Sequence, residues 1–236
     1  RLATAKRGGV TVTRVEITRE GLARPRGRYV TLEMPSVSVL DERDTDVIET
    51  GAAELRALLP PEGPVLVLGI GNRRVTADAL GPRTAQKILV TMGPQHTLPV
   101  RGIRPVAALA PGVSGDTGLT LRQLAAAMID AVRPAALICV DSLCSAEAAR
   151  LGRTIQFSDT GLHPADARHA RHLDAAALGV PVIAAGIPTL MEGADLVLTP
   201  RALDSVIAHG SALLAGILNR ALQPRLSVAQ LCWLTG

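Results

Sequence analysis

The stretch VLVLGIGNRRVTADALGP, residues 65–82, decides how this chain is read. Val65–Ile70 is a continuous apolar run, as a strand buried on both faces requires. Gly69, Gly71 and Asn72 let the chain leave that strand tightly, because glycine takes a positive φ without steric cost. A carboxylate, Asp78, then stands among small and apolar residues. A dinucleotide fingerprint would need a third glycine in G-x-G-x-x-G, but position 74 is Arg. The segment therefore reads as a device for placing one acid. The plainer use of Asp78, favouring a helix N-terminus, carries about even weight from this stretch alone.

Outward from this point, strands and helices alternate. Ala79 to Val90 has helical composition, and Val106–Leu109 has the look of a short strand. Thr120 to Val132 reads as a helix, with Thr120 and Gln123 spaced as a capping box. Ala136 to Val140 is a second apolar strand, Ser145 to Leu151 a short helix, Thr154 to Phe157 a third strand and Val182 to Ala185 a fourth. Thr199 to Ala221 is the clearest helix. Thr199 stands at the N-cap and Pro200 at the first helical position, and Leu203, Val206, Ile207, Leu213, Leu214, Ile217 and Leu218 share one face.

Upstream, Asp41 to Leu59 has helical spacing, closed by Pro60, Pro61 and Pro64. Val10–Ile17 and Arg28–Met34 read as two strands of a hairpin. The expected fold class is α/β: a mostly parallel central sheet with helices on both faces, plus an N-terminal β-hairpin. Residues 1–236 form a single α/β domain in this reading. Residues 1–40 are its β-rich N-terminal extension and 199–221 its C-terminal packing helix.

Composition narrows the function. With 47% apolar and 19% charged residues the chain builds a core rather than staying disordered. One Trp, one Tyr and one Phe leave no stacking platform for single-stranded nucleic acid. A net charge of +4 comes without any dense basic run, so direct nucleic-acid binding is not expected. Cys139, Cys144 and Cys232 form no C-x-x-C pair, which fits a reducing compartment. With no apolar stretch counted as membrane-spanning and no signal peptide, the chain is expected in the cytoplasm.

Three separate strands are each followed by an acid: Asp78, Asp141, and Asp159 in SDTG with His163 beyond it. In open parallel sheets, chemistry collects outside the carboxyl ends of strands. Two close carboxyls cannot both ionise cheaply, so one keeps its proton while the other stays charged. Such a pair activates water with no Ser or Cys nucleophile, and general acid–base assistance is worth roughly 10²–10⁴-fold. For Asp159 the turn role is the stronger reading. His163, Asp166, His169 and His172 recur at three-residue spacing, a pattern open to metal binding. The interleaved Arg168 and Arg171 favour a polar surface segment.

Taken in order, GNRRVTADALGP (71–82), IRPVAALAPGVSGDTG (103–118), LICVDSL (137–143), SDTGLHP (158–164) and GVPVIAAGIPT (179–189) resemble the spore germination protease family. VTVTRVEI with GRYVTLEMP near the start, and LVLTPRALD with ILNRAL near the end, extend the resemblance over most of the chain. It implies a fold similar to the hydrogenase maturation proteases. It further implies an atypical aspartic endopeptidase, without a cofactor, that initiates degradation of small acid-soluble spore proteins in the spore core. Such an enzyme is made as a zymogen and assembles as a homotetramer. The implied catalytic pair is Asp78 and Asp141, with Asn72, Asp159 and His163 as supporting candidates. Ala77 replaces the family's Pro, and Ser142 its Ala, on the flanks of the two acids. The stretch from Leu190 to Asp195 is shorter than in the family, and the family's N-terminal R-T-D-L-A string is missing. Competing readings are a metal-dependent peptidase with Asp78, Asp141 and His163 as ligands, a non-catalytic binding protein, and a nucleotide-binding domain.

Overall fold

The computed structural model describes residues 1–22, 24–93, 101–163, 172–192 and 197–235. The chain opens with three strands, β1 (Leu2–Arg7), β2 (Val10–Ile17) and β3 (Gly27–Glu33), followed by helix α1 (Thr45–Leu58). Strand β4 (Val65–Gly69), helix α2 (Leu80–Ala85), strand β5 (Val106–Leu109), helices α3 (Ser114–Thr117) and α4 (Leu121–Val132), and strand β6 (Ala136–Cys144) come next. The remainder is β7 (Thr154–Ser158), α5 (Ala175–Leu178), β8 (Val182–Glu192), β9 (Val197–Leu198), α6 (Leu203–Leu222) and α7 (Val228–Thr235).

One sheet runs in the order β1-β2-β3-β7-β8-β6-β4-β5, with β9 paired to β8. It is parallel across β5-β4-β6-β8 and antiparallel from β8 through β7, β3 and β2 to β1. The α/β expectation holds, and the sheet is mixed. The pleat sends alternate side chains to opposite faces. Val65, Val67, Ile138 and Val140 pack with α1 and α6 on one side. Leu66, Leu68, Leu137 and Cys139 pack with Ala125 and its neighbours in α4 on the other. Burial on both faces is why these strands are apolar without interruption.

The N-terminal strands continue this sheet, because β3 pairs with β7 from Tyr29–Ser158 to Glu33–Thr154. The sequence reading missed β1, whose hairpin to β2 closes through Gly8 and Gly9, both at positive φ, the two-residue turn that favours glycine. Helix α1 is tied to β2 by a two-pronged ion pair between Arg14 and Glu54, which leaves the buried Glu54 compensated.

Several boundaries differ from expectation. Helix α2 stops at Ala85 rather than reaching Val90, because the side chain of Asn219 takes the backbone groups beyond it. Asn219 accepts from the Leu89 N–H at 2.9 Å and donates to the Lys87 carbonyl at 2.9 Å. Ser145 to Leu151 holds only a 3-10 turn at Ala148–Arg150, with the Ser145 hydroxyl bonded to the Glu147 backbone. The capping box at Thr120 and Gln123 is present. Helix α6 begins at Leu203, not Thr199: after β9 ends at Leu198, residues 199–200 are irregular and 201–202 form a turn before the helix starts. By length and composition α6 meets the requirement for crossing a membrane, against the sequence estimate, but 72% of its apolar window is buried in the protein. Here that apolarity serves the core.

Candidate active site

Asp78 and Asp141 meet at the carboxyl edge of the parallel strands. Beyond β4 the backbone turns at Gly71, with φ +123°. A methyl group there would lie 2.1 Å from the Asp78 carbonyl oxygen and 2.9 Å from its Oδ1, so the tight exit requires glycine. The Asn72 N–H donates to Asp78 Oδ2 at 2.7 Å, and the Asn72 side chain accepts from the Arg74 N–H at 2.9 Å. Asn72 thus supports Asp78 through its backbone. The 3-10 turn Thr76–Asp78 is pinned to β8 by the buried Thr189 hydroxyl, which donates to the Ala77 carbonyl at 2.7 Å.

Asp141 lies within β6, which runs four residues past the expected end at Val140. The Ser142 N–H donates to Asp141 Oδ1 at 2.7 Å. Removal from water, then the charge of Asp78, pushes the Asp141 carboxyl up to about 7, against the lowering effect of the Ser142 N–H. Burial raises Asp78 as well, opposed by the Asn72 N–H. The two effects fit together: with the proton on Asp141, Asp78 faces no neighbouring charge and is the first to ionise. One acid donates a hydrogen bond near neutral pH and the other accepts a proton.

Asp141 helps line a cavity of roughly 540 Å³. Its wall includes Tyr29, Ser142, Cys144, Gln156 and His163. Two of these, Tyr29 and Gln156, are not singled out by the sequence. Gln156 stands level with Asp141 across β8, since Asp141 pairs with Gly186 and Gly186 with Gln156. Ser142 carries a buried hydroxyl without a hydrogen-bond partner among the described residues. Tyr29, the one tyrosine, lays its ring beneath the Arg24 guanidinium and donates its hydroxyl to the Pro25 carbonyl. The register that selects Gln156 depends on strand direction, which no local motif carries. Cys139, buried below Asp141, has its thiol pushed far above the usual range by burial and then by the Asp141 charge, which disqualifies it as a nucleophile.

Asp159 does not join the acids. Strand β7 runs antiparallel to β8, so its C-terminal end points to the opposite edge. Three residues beyond Gln156, Asp159 lies about 10 Å along the strand direction from the Asp141 row. There it pairs with Arg28, accepting from the backbone N–H and from Nε, both at 2.7 Å. His163 returns to the cavity wall, where its Nε2–H donates to the Thr160 carbonyl at 2.7 Å. Among the described residues, the set of three side chains with metal-ligand spacing is His163, His172 and Asp174. Asp78, Asp141 and His163 do not assemble into one, so the donor set of the metal-peptidase reading does not fit. Asp166 and His169 lie outside the described residues.

A family model described as Germination protease matches residues 2–194. The Germination protease of Clostridium perfringens strain SM101 is 31% identical over 278 residues, covering 92% of this chain and 86% of that protein. That of Bacillus velezensis is 38% identical over 219 residues, with 86% of this chain but 58% of its own length covered. That of Clostridium acetobutylicum is 28% identical, with 98% and 90% covered. Among solved structures, a NiFe hydrogenase maturation protease, HycI from Thermococcus kodakarensis, aligns with TM-score 0.48 and 18% identity over 72% of this chain and 98% of its own.

Proposed function

Since the chain belongs to the germination protease family, we propose that it is an endopeptidase whose Asp78 and Asp141 activate water to cut small acid-soluble spore proteins at the start of germination. The observation that carries this reading is the raised Asp141 carboxyl beside Asp78 at the wall of the cavity. Asp78, ionised, takes a proton from the attacking water. Asp141, protonated, donates a hydrogen bond to the scissile carbonyl oxygen and stabilises the charge that develops there. As the tetrahedral intermediate collapses, the proton held by Asp78 passes to the leaving amine. No side chain becomes covalently attached to substrate.

An extended, flexible substrate suits this site, because an unfolded segment presents its backbone without prior unfolding cost. The basic balance of the chain favours acidic partners through long-range attraction. Assembly as a homotetramer, synthesis as a zymogen and residence in the spore core belong to the same proposal.

The test is cleavage of a purified small acid-soluble spore protein by Asp78→Asn and Asp141→Asn variants, with circular dichroism and oligomeric state measured alongside. Both variants are expected to be folded and inactive. Cleavage retained by either pure variant rules out the two-acid mechanism. Wild-type cleavage is expected to survive exhaustive chelation; its loss, with the fold intact, would favour a metal-dependent reaction.

A further inference from the structure

We propose that His163, His172 and Asp174 form a site for a borderline divalent cation of the zinc class, at the edge of the cavity and built from side chains other than the acid pair. One ring nitrogen of each histidine and one carboxylate oxygen of Asp174 all lie within 4.8 Å of one another. A tetrahedral ion with bonds of about 2.1 Å holds its ligands about 3.4 Å apart. Small side-chain rotations therefore close the set. The imidazole rings meet at 72° with centroids 4.9 Å apart, rather than stacking.

Two of the ligands, His163 and Asp174, are oriented before any ion arrives. A carbonyl oxygen only accepts, so the bond from His163 Nε2 to Thr160 places the proton on Nε2 and leaves Nδ1 as the unprotonated ring nitrogen. This is the arrangement in which a backbone carbonyl fixes the tautomer of a metal-binding histidine. Asp174 Oδ1 accepts from the Ala177 N–H at 2.8 Å, which fixes the carboxylate and leaves Oδ2. The two chain segments are already joined, because Leu162 and Leu173 exchange backbone hydrogen bonds of 2.9 and 3.2 Å. His163 follows one of these residues; His172 and Asp174 flank the other. Little ordering remains to be done on binding.

Two imidazoles and one carboxylate select Zn²⁺, Co²⁺ or Ni²⁺ over Mg²⁺ and Ca²⁺, which want oxygen donors. Three protein ligands leave one tetrahedral position for water or a substrate group. Of the three ligands His163 lines the cavity that Asp141 also lines, so the ion would sit at the edge of that cleft on a donor set that includes neither Asp78 nor Asp141.

The whole chain, stripped of metal by chelation and dialysis, is titrated with Co²⁺ and followed by visible absorption, then displaced with Zn²⁺. One equivalent is expected to bind, with the intense bands of a low-coordinate Co²⁺ site, and Zn²⁺ should raise the melting temperature. Asp174→Asn keeps a side-chain oxygen to accept from the Ala177 N–H, so it tests the ligand without removing the cap. Both it and His172→Ala should weaken Co²⁺ binding at least tenfold. His209→Ala, on α6, and Asp141→Asn should bind as wild type. Absence of binding at millimolar Co²⁺ shows a polar cluster only and overturns the proposal. So does undiminished binding by folded Asp174→Asn, or binding abolished by Asp141→Asn, which would place the ion on the acid pair. The Asp141→Asn arm thereby separates failure of this site from failure of the two-acid mechanism.

Discussion

Replacing Asp141 by Asn is expected to stabilise the protein at neutral and alkaline pH while abolishing cleavage. The buried carboxyl is raised from an ordinary 3.8 to about 7. The folded state therefore holds this proton more tightly than the unfolded chain does. Stability from this group is fully present below the ordinary value, falls as pH rises between about 4 and 7, and is lost above that range. Each pKa unit corresponds to 1.36 kcal/mol, so a shift of about three units is worth about 4 kcal/mol. Water entering the cavity lowers the effective figure, and a gain of about 1–3 kcal/mol at pH 8 is the working expectation. Asn is neutral throughout, keeps the shape of Asp, and its Oδ1 can still accept from the Ser142 N–H. It removes the repulsion felt by Asp78 as well as the desolvated charge.

The assay is denaturant unfolding of wild type and variant at pH 5, 6, 7 and 8, at one protein concentration so that any association contributes equally. The difference between the two should be smallest at pH 5, where somewhat over a third of it is already present, and grow with pH until it levels off above about 7. A smaller slope of the same sign remains in the variant, because burial also raises Asp78. Parallel pH profiles for the two proteins, or a variant less stable than wild type at pH 8, would refute the assignment of a raised carboxyl to position 141. The paired outcome, greater stability with lost activity, is what a site built from a destabilising charge should give.

Three further outcomes follow from the same geometry. The kcat/KM profile of wild type should be bell-shaped: the alkaline limb near 7 reflects loss of the Asp141 proton, and the acid limb protonation of Asp78 above its ordinary value. A profile flat from pH 5 to 9 contradicts this. Leu214→Asp sets a carboxylate into a fully buried position of α6 and should cost several kcal/mol or prevent folding; an unchanged melting temperature contradicts the burial. Ser142→Ala deletes a buried hydroxyl with no partner and should leave stability equal or raise it by up to about 1–3 kcal/mol, with cleavage kept. A tenfold loss of kcat/KM would instead give that hydroxyl a part in binding substrate.

The acids were legible and their third companion was not, for one reason: strand direction. Asp78 and Asp141 could be paired because β4 and β6 are continuous apolar runs, and parallel neighbours put their C-terminal ends on one edge. Asp159 obeys the same rule only if β6 stops at Val140. That boundary leaves residues 141–153 for the connection to β7, enough for a crossover back to a parallel strand, which needs a dozen or more residues. In the structure β6 continues to Cys144, leaving only residues 145–153, so β7 must return antiparallel. The extension was hard to see because Asp141 and Ser142 interrupt the apolar run, and polar residues after such a run read as a strand end. Both lie inside the strand rather than after it. The interruption that hides the strand's true length is also what sets a carboxyl where burial and a second acid raise its affinity for a proton to about neutral pH.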